Sequence, residues 1–324
     1  MRRGLRMAAA GGLAFAVFAA TAPALRADWR DDHQVLRVGF LAASGAGYDA
    51  LRLEPFRVYL ESRLAMPVEL VAATDYATLI DAQATDRTQY AIHSAASYVT
   101  AAAACGCIEP LALPSAFDGT PGFYAILLAR ADGTIASLAD AGGARLAVAG
   151  QDSVAGRLVP LRLFADQGID AATYFSAIVE TDGPQAAIAA LLTGAADLAV
   201  GWSSLSGDGT AGYSFGVLAS LVRAGALSMD LVRIVWQSPL VPFGPHAVRS
   251  DLPVELKAGL VEALTAMAGQ APEALDAVDR SSIGGGGFVA VGADAYVVVE
   301  RLLAEPGPAA GAAPPQGGVS PPPE

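Results

Sequence analysis

Short apolar runs alternate with longer segments of helical periodicity along most of this chain, and that alternation constrains its fold more than any other feature. Strand signals stand at residues 35–41, 67–71, 90–93, 108–113, 123–130, 145–149, 177–180, 197–201 and 231–237. Helical signals fall between them, at 54–64, 75–84, 94–104, 153–167, 184–192 and 218–224. In the first, Phe56, Tyr59, Leu60 and Leu64 recur at i, i+3, i+4 and i+8, one face of a helix. The Ser250–Pro253 stretch starts a long helix reaching residue 267, and 293–303 forms the last. Alternating strand and helix predicts an α/β fold built on parallel sheets. Residues 44–48 and the glycine run Gly284–Gly287 read as flexible loops.

The chain has 324 residues, enough for one large domain or two of ordinary size. Hydrophobic residues make up 53% and charged ones only 16%, which excludes a wholly disordered chain. The net charge is −12, and Lys257 is the single lysine. No basic stripe exists to neutralise a phosphate backbone, so nucleic-acid binding is excluded, and so is a grip on anionic lipid.

Residues 1–27 read as a secretory signal peptide. Arg2, Arg3 and Arg6 form the basic start, residues 7–20 the apolar stretch, and small residues before Leu25 and Asp28 offer cleavage sites. No cysteine follows the apolar stretch, which argues against a lipid anchor. Cleavage after Ala27 would take the charge to −16, so bulk charge would repel an anion and only local dipoles could hold one. Cys105 and Cys107 are the only cysteines. They read either as an i,i+2 disulfide, with little geometric latitude, or as two small thiols at a helix end. Residues 305–324, rich in Pro, Gly and Ala, read as a disordered tail.

The usual catalytic signatures are absent. There is no HExxH, no CxxC and no Gly-rich loop with a following lysine. Gly201-Trp202-Ser203-Ser204-Leu205 lacks the last glycine of a nucleophile elbow. A Ser153/His93/Asp197 triad remains a spatial question. What stands out is Ala149-Gly150-Gln151-Asp152-Ser153-Val154-Ala155-Gly156, which runs from a strand into a helix start. First-turn N–H groups are free there and the helix dipole is positive, which suits an anion. An ordinary serine N-cap is the competing reading.

An ordered series of short motifs accompanies that segment: Glu54-Pro55-Phe56, Thr74-Asp75-Tyr76, Ser97-Tyr98-Val99, Glu109-Pro110-Leu111 and Leu158-Val159-Pro160, then Trp236-Gln237-Ser238-Pro239 and Pro242-Phe243-Gly244-Pro245-His246. Over residues 35–303 the series resembles the periplasmic phosphonate/phosphite/phosphate-binding proteins, the substrate-binding components of ABC importers. The resemblance implies a type II two-lobed α/β fold, with two crossover strands as the hinge. Lobe one would take 28–125 plus 240–304, and lobe two 126–239.

It further implies a monomeric, periplasmic, non-enzymatic protein without a cofactor. Such a protein would present a small oxyanion to an inner-membrane permease and its ATPase. The family holds its oxyanion at a Ser-Thr-Ser-Gly helix start, matched here by Ser153, Val154, Ala155 and Gly156, so two of three hydroxyls are missing. The family's pocket tyrosine and following turn are matched by Ile92, His93, Ser94 and Ala95, with His93 and Ser94 as replacement donors or His93 as a satisfied buried histidine. Tyr48, Tyr124, Trp202 and Ser203 are further pocket candidates, because they follow strand ends. The alternatives are a sulfonate or other organic ligand, a sensor partner, or a secreted hydrolase using Ser153 or Ser203.

Overall fold

The computed structural model describes residues 33–42, 44–151, 153–279 and 285–304. The signal peptide at 1–27, the tail at 305–324 and Gly284 lie outside the described residues. The chain opens with β1 (Leu36–Leu41), α1 (Ala46–Arg52), α2 (Glu54–Leu64), β2 (Val68–Ala73), α3 (Tyr76–Ala84), β3 (Tyr90–Ile92), α4 (Ala95–Cys105) and β4 (Ile108–Ala116). β5 (Gly122–Arg130) and β6 (Arg145–Ala149) follow, then a π-helical turn (Val154–Leu158) that runs into α5 (Val159–Asp166). Next come α6 (Ala171–Tyr174), β7 (Ala177–Thr181), α7 (Pro184–Leu192), β8 (Leu198–Ser203), α8 (Val217–Arg223), β9 (Val232–Gln237) and β10 (Val241–Pro242). The chain finishes with β11 (His246–Arg249), α9 (Val254–Gln270), α10 (Pro272–Val278), β12 (Gly285–Ala290) and α11 (Val297–Leu303).

These strands form two sheets. The first has the order β12-β4-β11-β3-β1-β2, and the second β10-β5-β8-β6-β7 with β9 also on β5. β1 lies parallel between β2 and β3, with Leu36 opposite Val68 and Leu41 opposite Ala73. β6 lies parallel between β7 and β8. Strands that return from the other sheet enter antiparallel, as β11 does on β3 and β5 does on β8. The chain therefore crosses once after β4 and returns once before β11.

Each sheet buries its own core. In the first, Leu36, Val38 and Phe40 pack with Phe56 and Leu60 of α2 and Leu256 and Leu260 of α9. Pro55 suits the first turn of α2, and Ala65, in the left-handed region at φ 50°, ends it. In the second, Ile126, Leu128 and Ala147 pack with Ile188, Leu191 and Leu218. A third cluster joins the sheets: Tyr98 and Leu113 from the first, Ala125, Val159 and Leu163 from the second, and Tyr296, Val298 and Val299 from the chain's end. Tyr296 stacks edge-on to Tyr98 at 4.7 Å and donates to the Phe243 carbonyl at 2.8 Å.

Three local expectations are corrected. The 44–48 loop turns helical at Ala46, because Gly45 takes φ 107° and the Asp49 carboxylate accepts the Ser44 N–H at 2.7 Å. Gly285–Gly287 belong to β12, paired with β4. A Cβ at Gly286 would sit 1.9 Å from the Ala116 carbonyl oxygen, so the glycines there permit close strand approach rather than flexibility. The 153–167 helix starts as a π turn, with Val159 N–H reaching back to the Val154 carbonyl. Pro160 has no N–H to offer Gly156, so the regular i→i−4 ladder cannot form at that point.

Candidate functional site

The parallel strands β1 and β3 end together, and a cavity of about 330 Å³ opens at their carboxyl ends. Phe40, Leu53, Ile92, Phe243 and Val278 give it a largely apolar wall. His93 lies in the wall at the end of β3, and His246 enters from β11. Gly244 makes this assembly possible, because a Cβ there would lie 2.1 Å from the His93 carbonyl oxygen.

His93 is 5% exposed, and both ring nitrogens are occupied. Nδ1 meets Ser97 Oγ at 3.0 Å and Nε2 meets Gln83 Oε1 at 2.8 Å, while Gln83 donates onward to the Ala247 carbonyl. Burial pushes His93 down to about 4, so it is neutral near pH 7. Ser94 caps α4 in a reciprocal box with Ser97. The hydrogen-bond capacity of both residues is therefore turned inward. His246 is 2% exposed and pairs through Nδ1 with the Tyr90 hydroxyl, within a ring of Phe56, Tyr90 and Phe288. Burial, with a smaller contribution from His93, pushes His246 down to about 3.

Two cavity residues come from α1, the helix that replaced the expected loop. Asp49 is buried and spends one carboxylate oxygen on the Ser44 N–H. Arg52 closes the helix, with its Nε buried and without a hydrogen-bond partner among the described residues. Tyr48, on the same helix, is 66% exposed and lies outside the cavity wall.

The helix start lies in the second sheet, at the carboxyl end of β6. Ser153 is its N-cap, and its oxygen accepts the Gly156 N–H at 3.2 Å. A Cβ on Gly156 would come within 2.8 Å of Ala149 Cβ and 3.1 Å of Pro184 Cγ, so the turn packs tightly against β6 and α7. Val154 is exposed and Ala155 half-buried, which leaves the first turn open to solvent. Ser153 keeps its hydroxyl hydrogen as a donor after capping.

Between β4 and β5 and beside the end of β8 lies a polar groove of about 630 Å³. Tyr124, Ser204, Ser206, Tyr213 and Asp118 line it. Leu205 and Tyr213 hold left-handed backbone conformations at φ 52° and 71°, uncommon for such side chains. Burial pushes the Asp118 carboxyl up, but the Thr120 N–H bond at 2.9 Å and the nearby Ser214 and Ser206 side chains outweigh it and hold it below its usual value. Trp202 packs on Phe123 and Phe215, away from the groove wall. Ser203 is fully buried, and its Oγ accepts the Leu205 N–H.

No hydrolytic triad assembles from the expected residues. His93 is committed to Gln83 and Ser97, and Asp197 is bound twice by the Arg145 guanidinium. Cys105 and Cys107 are joined as a disulfide at the end of α4. Among the described residues no group of three or more His, Cys, Asp or Glu is placed to hold a metal ion. Of the expected site residues, only His93 reaches the first cavity and only Tyr124 the groove. The sequence reading missed Arg52, Tyr76, Asp118 and His246. Arg52, in the stretch between the first strand and the helix at 54–64, was the one signal that could have pointed to the cavity.

Two sheets with parallel cores, two crossings and polar groups at strand carboxyl ends define a two-lobed binding protein of the periplasmic type. The chain belongs to the family described as "ABC transporter, phosphonate, periplasmic substrate-binding protein", whose profile matches residues 49–296. It is similar to the phosphate-import protein PhnD of Mycolicibacterium smegmatis, with 25% identity over 207 residues. That match covers 63% of this chain and 62% of the relative, so the chain spans about three-fifths of that curated protein. Among solved structures, XAC2383 from Xanthomonas citri bound to ATP has TM-score 0.53 at 18% identity, covering 83% of this chain and 98% of that one. Transferrin 1 from Manduca sexta has TM-score 0.59 at 11% identity, covering 82% and 46%. At these identities the likeness is one of fold.

Proposed function

We propose that this chain is the solute-binding component of an ABC importer, capturing a small oxyanion of the phosphonate, phosphite or phosphate class in the cleft between its two sheets. The observation that carries the reading is the helix start at the carboxyl end of β6. Its cap, Ser153, retains a donor, and its close-packed Gly156 brings the first turn against the sheet. Family membership supports the same role. Sheet membership changes between Ala116 and Gly122 and again between Pro242 and His246. We place the lobe boundaries there, a few residues from 125 and 240.

The protein works as a monomer in the periplasm, exported by the signal at 1–27, without a lipid anchor, cofactor or catalytic step. It delivers its ligand to a membrane permease driven by an ATPase. Only a closed form would contact ligand from both lobes, so ligand shifts the population towards closure. Calorimetric titration with methylphosphonate, phosphite, phosphate and a sulfonate tests the class. Small-angle scattering should show compaction with whichever binds, and failure of all four to bind refutes the proposal. A sulfonate or other organic ligand is the second reading, favoured by Val154 and Ala155 where the family carries hydroxyls.

A further inference from the structure

We propose that the polar groove at the end of β8 binds the hydroxyl-rich part of the ligand, so that the oxyanion captured is the phosphate of a small sugar or polyol. The inference rests on the oxyanion reading above and adds what the oxyanion is attached to.

The groove and the helix start share one end of the second sheet. β8 lies between β6, parallel to it, and β5, antiparallel to it, with Ala199 opposite Ala147 and Ser203 opposite Tyr124. The carboxyl ends of β6 and β8 and the start of β5 therefore meet at the same edge. The π-helical turn that Ser153 caps packs against both β8 and β5. Of the groove residues, Ser204 and Ser206 follow β8 directly, and Tyr124 stands near the start of β5. Neighbouring strands lie about 5 Å apart, so one to two spacings, or about 5–10 Å, separate the strands that carry the two features. A five-carbon sugar phosphate, with a hydrogen bond at each end, covers such a span.

The lining suits a partner that both donates and accepts. Tyr124, Tyr213 and Gln237 bring neutral side-chain groups that make no hydrogen bond among the described residues. Asp118 adds one carboxylate. Its Oδ1 accepts the Thr120 N–H at 2.9 Å, and its Oδ2 is buried without a hydrogen-bond partner among the described residues. The neighbouring Ser214 hydroxyl donates instead to the Ser206 carbonyl, at 3.0 Å. A buried acceptor left unpaired costs stability, and a donor from the ligand removes that cost. Three neutral groups to one carboxylate favour hydroxyls over an ammonium, because a hydroxyl donates and accepts whereas an ammonium only donates. A carboxylate set against ribose hydroxyls is also how dinucleotide sites hold their sugar.

The wall is held in place before any ligand arrives. Ser204 N–H bonds the Phe215 carbonyl at 3.1 Å and Ser214 N–H the Ser206 carbonyl at 2.8 Å, which pins both ends of the segment that carries Tyr213. Asp118 lies on the first crossing between the sheets. A sugar bonded to Asp118 and Tyr213 thus ties that crossing to the second sheet.

The test is calorimetric titration of the full chain with phosphate, pentyl phosphate and ribose 5-phosphate; the two esters share a five-carbon frame and differ in the hydroxylated ring. Wild type should bind ribose 5-phosphate at least about tenfold more tightly than pentyl phosphate, the scale of one hydrogen bond to a charged group. Asp118→Asn keeps an oxygen for the Thr120 N–H but turns the free acceptor into a donor. It should abolish the preference and leave pentyl phosphate binding unchanged. Tyr213→Phe, which removes one hydroxyl, should reduce the preference several-fold. Thermal melts check that both variants fold. Equal binding of the two esters by wild type, or a preference undiminished in either folded variant, overturns this inference alone. Tighter binding of 5-aminopentyl phosphate than of ribose 5-phosphate overturns it in favour of an ammonium ligand. Failure of all these phosphates to bind wild type overturns the phosphate-class reading as well.

Discussion

Lowering the pH from 7 to 5 should destabilise this protein by about 4 kcal/mol, and two histidines should account for it. His93 and His246 are buried and held near 4 and 3, against an unfolded value of 6.5. A depressed folded value means that protonation favours the unfolded chain. The stability these residues contribute is therefore complete above pH 6.5 and is lost as pH falls towards 4 and 3. At pH 5 the unfolded imidazoles are almost fully protonated and the folded ones almost neutral, so each costs about 1.5 units at 1.36 kcal/mol per unit, or about 2 kcal/mol. The paired carboxylates, such as Asp197 beside Arg145, are held below their usual values and lose stability only below about pH 4. The window from 6.5 to 5 thus isolates the histidines. Urea denaturation at pH 7, 6 and 5 measures the loss. His246→Phe should halve the slope, because a phenyl ring keeps the packing with Phe56 and Phe288 but cannot protonate. At pH 7 that variant should be less stable by about 1–3 kcal/mol, since the Tyr90 hydroxyl loses its partner. A stability profile that is flat between pH 7 and 5, or a His246→Phe variant with the full wild-type slope, would refute the reasoning.

Ser153→Ala should weaken methylphosphonate binding about tenfold to a hundredfold and cost about 1 kcal/mol of stability through the lost cap, measured by calorimetry and denaturation; unchanged affinity would place the oxyanion elsewhere. Gly244→Ala should cost several kcal/mol or abolish soluble expression, because its Cβ would lie 2.1 Å from the His93 carbonyl. Gly269→Ala is the matched control: its Cβ meets nothing within 4 Å near the end of α9, so melting should show a gain of about 0.5–1 kcal/mol. N-terminal sequencing of the exported protein should begin near Leu25 or Asp28, and intact Met1 in the cytoplasm would contradict export.

The α/β class was legible because it rests on local periodicity. The spacing of Phe56, Leu60 and Leu64 sets α2 within the span expected, and the strand of Arg145–Ala149 and the helix of Pro184–Leu192 keep their expected ends. Caps are equally local, and Asp75 and Ser94 stand where the chain turns helical. Elements without periodicity were not legible. β10 is two residues long, and β12 begins with three glycines that become a strand only because the Ala116 backbone lies beside them.

The site was the least legible part. His93 and Ser94 looked like donors because of where they stand in the chain. Whether a donor is free depends on what else packs against it, and Gln83 and Ser97 had already taken those bonds. Arg52 and His246 stand far apart in the sequence, and nothing in it links them. They share a cavity only because β11 returns from the second sheet to pair with β3, and Gly244 lets the returning chain pass against His93. The sequence by itself determined the alternation of strand and helix, the caps and the acidic balance, since these depend on neighbours a few residues away. Only the tertiary structure decided which polar groups were satisfied inside the core and which were left facing a cavity, because hydrogen-bond partners and burial are set by contacts that the order of residues does not contain.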